Sequence, residues 1–387
     1  MIKPIIKFKN SLTENKSALP LCDLTLLILT VTLAIFGTVM VFSAGYAYAY
    51  ARYDDGLYFI KRQAVWLTLG LITMTVSSRI NPSYYKKITP ALYALTLFLL
   101  MLVLIVGFVG NGAKRWISIG PLTIQPSEIA KLTIVMMLSY YFSKHGDLAL
   151  DNKKRSLIFK YGTLYPILIM LVPIILVMLQ KHLSCIIILG LLSLILIVAA
   201  GVNLRYISSM CLFGIAGVSA LALFTDYTKE RITVWQNPEA YKLTGGWQTL
   251  QGLMAIGSGG VFGVGLGNSV MKHCYVSEPA NDMIFAIVCE ELGLIGALIM
   301  LSLFSLLVAR GITVALRSTD VYSRLVALGI SVKMAIQVLL NIAVVTNTIP
   351  NTGISLPFFS YGGSSLIMLF FEMGILLSIS RYAKITK

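Results

Sequence analysis

Stretches of about twenty apolar residues recur along the whole chain, and this pattern limits the fold more than any other feature. A helix of about 20 residues is long enough to cross the hydrocarbon core of a bilayer. We count ten such spans, at residues 24–46, 64–78, 89–110, 126–142, 160–179, 183–201, 206–224, 283–308, 325–346 and 357–379. The sequence therefore predicts an all-α polytopic membrane protein with about ten transmembrane helices.

The composition agrees with this class. Of the 387 residues, 57% are hydrophobic and only 12% are charged, and the mean hydropathy is +0.84, which excludes a soluble globular chain. We expect a single integral membrane domain over residues 1–387. It would comprise a cytoplasmic tail at 1–20, seven spans, a large extracytoplasmic segment at 225–282 and three further spans.

Lysine and arginine set the predicted orientation, since short cytoplasmic loops are enriched in them. Ten spans place both termini on one side, and most basic residues fall on that side if it is the cytoplasm. Several others fall on the outer side, where they are available to an anionic ligand: Arg52, Lys61, Arg62, Lys114, Arg115, Lys181, Lys229, Arg231, Lys242 and Lys272. The net charge of +15 thus follows mainly from topology. No basic stripe interleaved with aromatic residues indicates nucleic-acid binding.

Cysteine and histidine spacing indicates neither a disulfide framework nor a metal site. The five cysteines are odd in number and far apart, and the three histidines are isolated from one another. Free cysteines are expected. The need for a divalent cation stays open.

One carboxylate stands at the mouth of the eighth span. Asp282 follows the short polar run that begins at Ser277 and directly precedes an apolar run. An acid at such a boundary is partly desolvated yet reachable from water, as a general base acting on a lipid-attached substrate must be. Asp282 is therefore the candidate catalytic residue.

A glycine-rich, uncharged segment precedes Asp282 and is expected to form an amphipathic or re-entrant helix at the outer leaflet. Backbone of this kind survives at membrane depth only where protein or a watery cavity covers it, and such a cavity suits a substrate. An alternative is that Gly259, Gly263 and Gly267 merely let helices pack closely. The candidate substrate-binding residues here are Gln248, Gln251, Ser258 and Glu278.

Two further polar clusters lie near the predicted outer face. If Pro126 opens the fourth span, Glu128 and Lys131 share one helix face and neutralise each other. They either orient the span or, with Lys114 and Arg115, attract an anionic headgroup such as a diphosphate. The second cluster follows the ninth span, where two prolines and three glycines imply a shaped loop. Its hydroxyls either hydrogen-bond a sugar or satisfy backbone groups freed by the break: Thr352, Ser360, Tyr361 and Ser364.

Four runs together resemble the SEDS family of shape, elongation, division and sporulation proteins, which includes FtsW, RodA and SpoVE. They begin at Gly112, Gln251, Asp282 and Pro350 and follow one another in the order typical of that family. The amino-acid sequences at residues 352–357 and 379–382 are closer to those of FtsW and SpoVE than to those of RodA.

The resemblance implies a peptidoglycan glycosyltransferase of the bacterial inner membrane that polymerises lipid II during division or sporulation. It also implies a class B penicillin-binding protein as partner, alongside other divisome or sporulation membrane proteins. The family's catalytic acid falls on Asp282, and its intramembrane Glu and Lys fall on Glu128 and Lys131.

The chain departs from the family pattern at two places. Ala280-Asn281 stands where a His-Thr pair is usual, and Lys181-His182 stands where many members have Pro-Asp, so an acid is lost. Either the local charge network is rewired, or that acid is dispensable, or activity is weak. Two alternative functions remain: a lipid II flippase, and a scaffold that only activates the penicillin-binding protein.

Overall fold

The structure is a computed structural model, and it describes residues 21–110, 113–119, 122–149, 158–202 and 226–383. Eleven α-helices lie in this part of the chain: α1 (Leu24–Tyr53), α2 (Tyr58–Arg79), α3 (Pro82–Val106), α4 (Pro126–Ala149), α5 (Tyr165–Leu179), α6 (Leu183–Ala199), α7 (Asp226–Gln236), α8 (Trp247–Gly259), α9 (Ile284–Arg317), α10 (Val321–Val345) and α11 (Gly363–Tyr382). A π-helix at Ile158–Leu164 leads into α5.

The expected helical membrane architecture is confirmed. Six helices in the described residues are long and apolar enough to cross a membrane, and the shorter helix α6 is also apolar. Helices α2 and α4, of 22 and 24 residues, are more polar and coincide with two of the predicted spans. The predicted span at 206–224 lies outside the described residues.

Local sequence explains where several helices start. Asp23 caps α1 by accepting a hydrogen bond from the Leu26 amide, and Asp320 caps α10 by accepting from Ser323. At α3, Asn81 is the cap and Pro82 takes the first helical turn, where its missing N–H costs nothing.

A small antiparallel sheet was not predicted. The third span ends at Val106 rather than residue 110, because the chain turns into three short strands, β1 (Phe108–Gly110), β2 (Ala113–Ile119) and β3 (Leu122–Ile124). Lys114 pairs with Val109, and Ile117 pairs with Ile124. The sheet leads directly into the start of α4.

The helices enclose two apolar cores. One contains buried residues of α1, α2, α9, α10 and α11, such as Leu33, Phe304 and Phe370. The other lies between α4, α5 and α6 and includes Ile134 and Leu189. Helices α4 and α10 both contribute to the two cores, so they join the two halves of the bundle.

Helix α9 is broken at Gly293, whose φ of 65° is accessible mainly to glycine. The glycine-rich segment after α8 fills the break. Val264 and Gly265 donate to the carbonyls of Glu290 and Glu291 over 2.9 and 3.0 Å, and the amide of Leu294 donates to Gly260. These bonds replace those the helix loses, as backbone at membrane depth requires.

This arrangement agrees with the close-packing alternative for two of the three spaced glycines. A Cβ on Gly259 would lie 1.9 Å from the Cys289 carbonyl oxygen, and one on Gly263 would lie 2.2 Å from that of Glu291. A Cβ on Gly267 would meet nothing within 4 Å, so glycine is favoured there by the positive φ of the backbone rather than by close packing.

Candidate active site

Asp282 lies between three elements: α8, the first residues of α9 and the loop 346–362. Its carboxylate accepts a hydrogen bond from the Gln248 amide over 3.3 Å, and its backbone carbonyl accepts one from Asn341 of α10 over 2.9 Å. The site for a Cβ on Gly353 lies 3.6 Å from the Asp282 carboxylate oxygen, so the absence of a side chain leaves that approach open. The side chain is partly exposed.

Burial, together with the nearby Glu278 carboxylate, raises the pKa of the Asp282 carboxyl to about 6, although Gln248 and Arg231 act in the opposite direction. Glu278 itself, held at a φ of 52°, accepts a hydrogen bond from Asn281 over 2.8 Å. At neutral pH Asp282 is thus ionised but close to its midpoint, which suits a group that takes up a proton.

Gln248 connects α8 to the loop 346–362. Its amide nitrogen donates to Asp282, and its amide oxygen accepts from Asn351 over 3.0 Å. The Asn351 carbonyl in turn accepts from Arg231 of α7. A cation and two amides are therefore connected to the Asp282 carboxylate by one chain of hydrogen bonds.

The other candidates on α8 are placed differently. Gln251 is buried, whereas Ser258 is exposed and donates to the Ala255 carbonyl of its own helix over 2.9 Å. Neither has a described hydrogen bond to Asp282.

Ser360 and Tyr361 fasten the loop to the segment before Asp282. The Ser360 hydroxyl donates to the Asn281 carbonyl over 2.7 Å and accepts from the Leu356 amide, and the Tyr361 amide donates to the Ala280 carbonyl. Of the two roles that the sequence allows for Ser360, a hydrogen bond to a sugar or hydrogen bonds to backbone groups, the structure shows the second. Ser364 lies partly exposed on the first turn of α11.

Thr352 has a different environment. Its hydroxyl oxygen is buried and without a described partner, while its carbonyl accepts from Ser184 of α6. A buried hydroxyl in this state is a candidate for a ligand or water.

Four charged side chains are buried in the bundle below the loop. Lys131 donates to Glu128 over 2.7 Å, as the spacing predicts, and Lys333 of α10 donates to Glu372 of α11 over 2.5 Å. Glu128 also interacts electrostatically with Lys333, and Lys131 with Glu372. We call these residues the buried charge network.

The network borders a cavity of about 10 Å³, which is room for one water molecule. Glu128, Gln337, Ser355 and Ser360 line it, and the Gln337 amide oxygen is buried without a described partner. Ser360 is thus the link between this cavity and the backbone next to Asp282.

The basic residues of β2 lie beside the turn between α5 and α6. Lys114 is exposed, and Arg115 donates to the Lys181 carbonyl over 2.5 Å. Burial lowers the pKa of His182 to about 3, helped by Arg115 and Lys131, so the imidazole is neutral at neutral pH. The position where many family members carry an acid is therefore uncharged here, while Glu372 supplies a carboxylate near Lys131.

One basic residue expected to serve an anionic ligand does not. Lys272 is 4% exposed and donates to Glu291 over 2.9 Å, and Ser43 of α1 also donates to that carboxylate. The positive charge of Lys272 is paired with the Glu291 carboxylate inside the protein, because the glycine-rich segment turns this side chain inward. Among the described residues, no cluster of three histidines, cysteines or carboxylates could hold a metal ion.

Sequence reasoning missed Asn341, Lys333 and Glu372. All three are at most 1% exposed and lie within apolar spans, and polar residues there usually mark function or close pairing. Their isolation inside apolar spans was the available signal.

The fold and this site define an integral membrane protein with a partly exposed carboxylate of raised pKa directly before a long apolar helix. The chain belongs to the FtsW/RodA/SpoVE family of cell cycle proteins, whose family model matches residues 24–385.

Relatives and solved structures agree over nearly the whole length. The chain is 39% identical to stage V sporulation protein E of Bacillus subtilis, covering 94% of this chain and 98% of that protein. It is 38% identical to a probable peptidoglycan glycosyltransferase FtsW of Geobacter sulfurreducens, covering 94% and 96%.

Among solved structures, it resembles a chain of a peptidoglycan synthase complex described as coordinating polymerization and crosslinking, with a TM-score of 0.76, 26% identity and coverage of 93% and 98%. It also resembles the rod shape determining protein RodA of Thermus thermophilus, with a TM-score of 0.68, 27% identity and coverage of 93% and 97%.

Proposed function

We propose that this chain is a peptidoglycan glycosyltransferase that polymerises lipid II, with Asp282 as its general base. The observation that carries the proposal is the environment of Asp282: a partly exposed carboxylate with a pKa of about 6 at the end of a membrane span. The names of the relatives supply the reaction class.

In the proposed reaction the 4-hydroxyl oxygen of an acceptor N-acetylglucosamine attacks C1 of a donor N-acetylmuramic acid. The bond from C1 to the diphosphate oxygen breaks, and undecaprenyl diphosphate leaves with the electron pair. Asp282 takes the hydroxyl proton. A single displacement of this kind inverts the anomeric carbon, and a retained configuration in the polymer would contradict it.

Gln248 and Asn341 hold Asp282 from two sides, through its carboxylate and its backbone. Arg231, Lys114 and Arg115 provide the positive charge that stabilises the departing diphosphate. Thr352, with its unpartnered hydroxyl, is the best placed of the loop hydroxyls to contact the sugar. Glu128 and Lys131 lie further inside and support the loop rather than contact substrate.

We propose that the protein lies in the bacterial cell membrane with both termini in the cytoplasm and the 225–282 segment outside. It takes a class B penicillin-binding protein as partner. The similarity to a chain of a synthase complex that couples polymerization to crosslinking supports that partner.

The test supplies lipid II to the purified chain and its partner, with transpeptidation blocked, and compares the wild type with Asp282→Ala. Glycan polymer from the wild type and none from the variant is the expected result. A variant that polymerises at the wild-type rate would exclude Asp282 as the base. No polymer from either, with partner and lipid verified active, would favour the flippase or the scaffold.

A further inference from the structure

A second cavity, of about 390 Å³, lies far from Asp282. Helix α4 begins at Pro126 beside the candidate site, and His145, which lines the cavity, is 19 residues further along, or about 28 Å at 1.5 Å per residue. That length is close to the thickness of the hydrocarbon core, so the cavity lies at the opposite membrane face.

Aromatic rings form most of the wall. The ring of His145 stacks on Tyr161 with centroids 5.9 Å apart, and Tyr165 meets Tyr161 edge-on at 5.4 Å. The Tyr141 hydroxyl donates to the Tyr161 carbonyl over 2.7 Å. Tyr161 belongs to the π-helix at Ile158–Leu164, a rare geometry that concentrates at functional sites.

The polar groups at this cavity favour a negative ligand. The Lys160 ammonium lies 5.8 Å from the ring centroids of both Tyr161 and Tyr165. The Nδ1 atom of His145 is buried without a described hydrogen-bond partner. None of the residues described as lining the cavity is a carboxylate. A cationic ligand on these rings would be repelled by Lys160.

The remaining wall is apolar and faces outward. Leu168 and Ile169 line the cavity, and Leu168 is 47% exposed; Leu171 on the same helix and Leu164 at the end of the π-helix are each 40% exposed. The cavity therefore opens toward lipid rather than only toward water.

We propose that this cavity binds the phosphodiester headgroup of an anionic phospholipid from the leaflet opposite Asp282. Lys160 and the hydroxyls of Tyr161 and Tyr165 donate to the phosphate oxygens, and Leu168 and Ile169 contact the glycerol and the first methylenes. Basic pockets between transmembrane helices are known to hold such headgroups. A simple belt of interfacial tyrosines would need neither a cavity of this size nor a cation beside two of its rings.

The test uses the full chain in nanodiscs of equal phosphatidylglycerol and phosphatidylcholine, followed by native mass spectrometry of the retained lipids. The wild type is expected to retain phosphatidylglycerol preferentially. Lys160→Met is expected to weaken retention about fivefold, the effect of one cation at an anionic surface, and Tyr165→Phe to weaken it less. Lys87→Met is the matched control, because Lys87 lies 5.6 Å from the ring of Tyr84, which does not line this cavity, whereas the rings beside Lys160 do.

Three results would overturn the proposal. Equal retention by Lys160→Met and Lys87→Met would show that Lys160 is no ligand. Preference for phosphatidylcholine would show that the rings bind a cation instead. Displacement of the lipid by glycerol phosphate at matched concentration would assign the cavity to a soluble phosphate. Thermal unfolding of each variant separates these results from loss of folding.

Discussion

Asp282 has two neighbours that act on its proton affinity in opposite directions. Glu278 raises its pKa through charge repulsion, whereas the hydrogen bond from Gln248 lowers it by stabilising the carboxylate. A general base is active when deprotonated, so polymerisation is expected to fall as the pH drops through about 6.

Glu278→Gln removes the repulsion and is expected to move this acid limb to lower pH. Gln248→Leu removes the donor and is expected to move it to higher pH, with a lower rate at pH 7. Initial rates of lipid II polymerisation between pH 5 and 8, measured at subsaturating substrate, report the limb. If both variants keep the wild-type pH dependence on the acid side, the acid limb belongs to a group other than Asp282.

The sequence indicated Asp282 and the Glu128–Lys131 pair because each has a local signal: an acid at a span boundary and two charges three residues apart. The partners of Asp282 have no such signal. Gln248 and Asn341 are 34 and 59 residues away from it in the chain, and only the folded bundle brings them together. The inward turn of Lys272 depends in the same way on Ser43 and Glu291.

At the level of elements, the break in α9 depends on Gly293. A Cβ there would lie 2.4 Å from the Gly263 nitrogen and 2.5 Å from the Val261 carbonyl oxygen, and the φ of 65° is unfavourable for any other residue. We expect Gly293→Ala to lower the free energy of unfolding by about 1–3 kcal/mol.

Gly257→Ala in α8 is the control, because its Cβ would meet nothing within 4 Å and its backbone is helical. It is expected to leave stability unchanged or raise it by up to about 1 kcal/mol. Thermal unfolding in detergent compares the two variants. Equal stability of the two variants would mean that the fold tolerates a side chain at the break in α9.

A second prediction at the level of elements concerns the buried charge network. Lys333→Met leaves Glu372 buried and unpaired, and loss of about 3–5 kcal/mol is expected. The double variant Lys333→Met/Glu372→Met removes both charges and is expected to recover most of that loss. A double variant as unstable as the single one would show that Lys333 acts beyond its pair. Unfolding midpoints of the three proteins settle the comparison.

Apolar periodicity predicted the existence of the helices but not all of their ends. Helix α1 continues seven residues past the predicted span, since Ala47 to Tyr53 stay helical up to Asp54. Helix α11 starts at Gly363 instead of residue 357, because Pro357 and the hydrogen bonds of Ser360 and Tyr361 hold the preceding residues in a loop. The three-stranded sheet arises from pairing between short segments that carry no strand pattern of their own.

At the scale of the whole molecule, native cysteines test the proposed orientation. Cys274 is exposed in the segment proposed to lie outside, whereas Cys185 and Cys289 are buried and Cys22 lies beside the start of α1. A membrane-impermeant maleimide is expected to label the wild type in intact spheroplasts, and Cys274→Ser is expected to abolish most of that label. Cys22→Ser is the control and is expected to change nothing until the cells are lysed. Labelling that depends on Cys22 instead would reverse the orientation.

The buried charge network has two positive and two negative members, so its net charge is zero. A membrane potential of 100 mV does about 2.3 kcal/mol of work on each elementary charge that crosses the whole bilayer. On a neutral group of four that moves as one body, the contributions of opposite sign cancel. Depolarising the membrane is therefore expected to do almost no net work on a displacement of this network along the membrane normal.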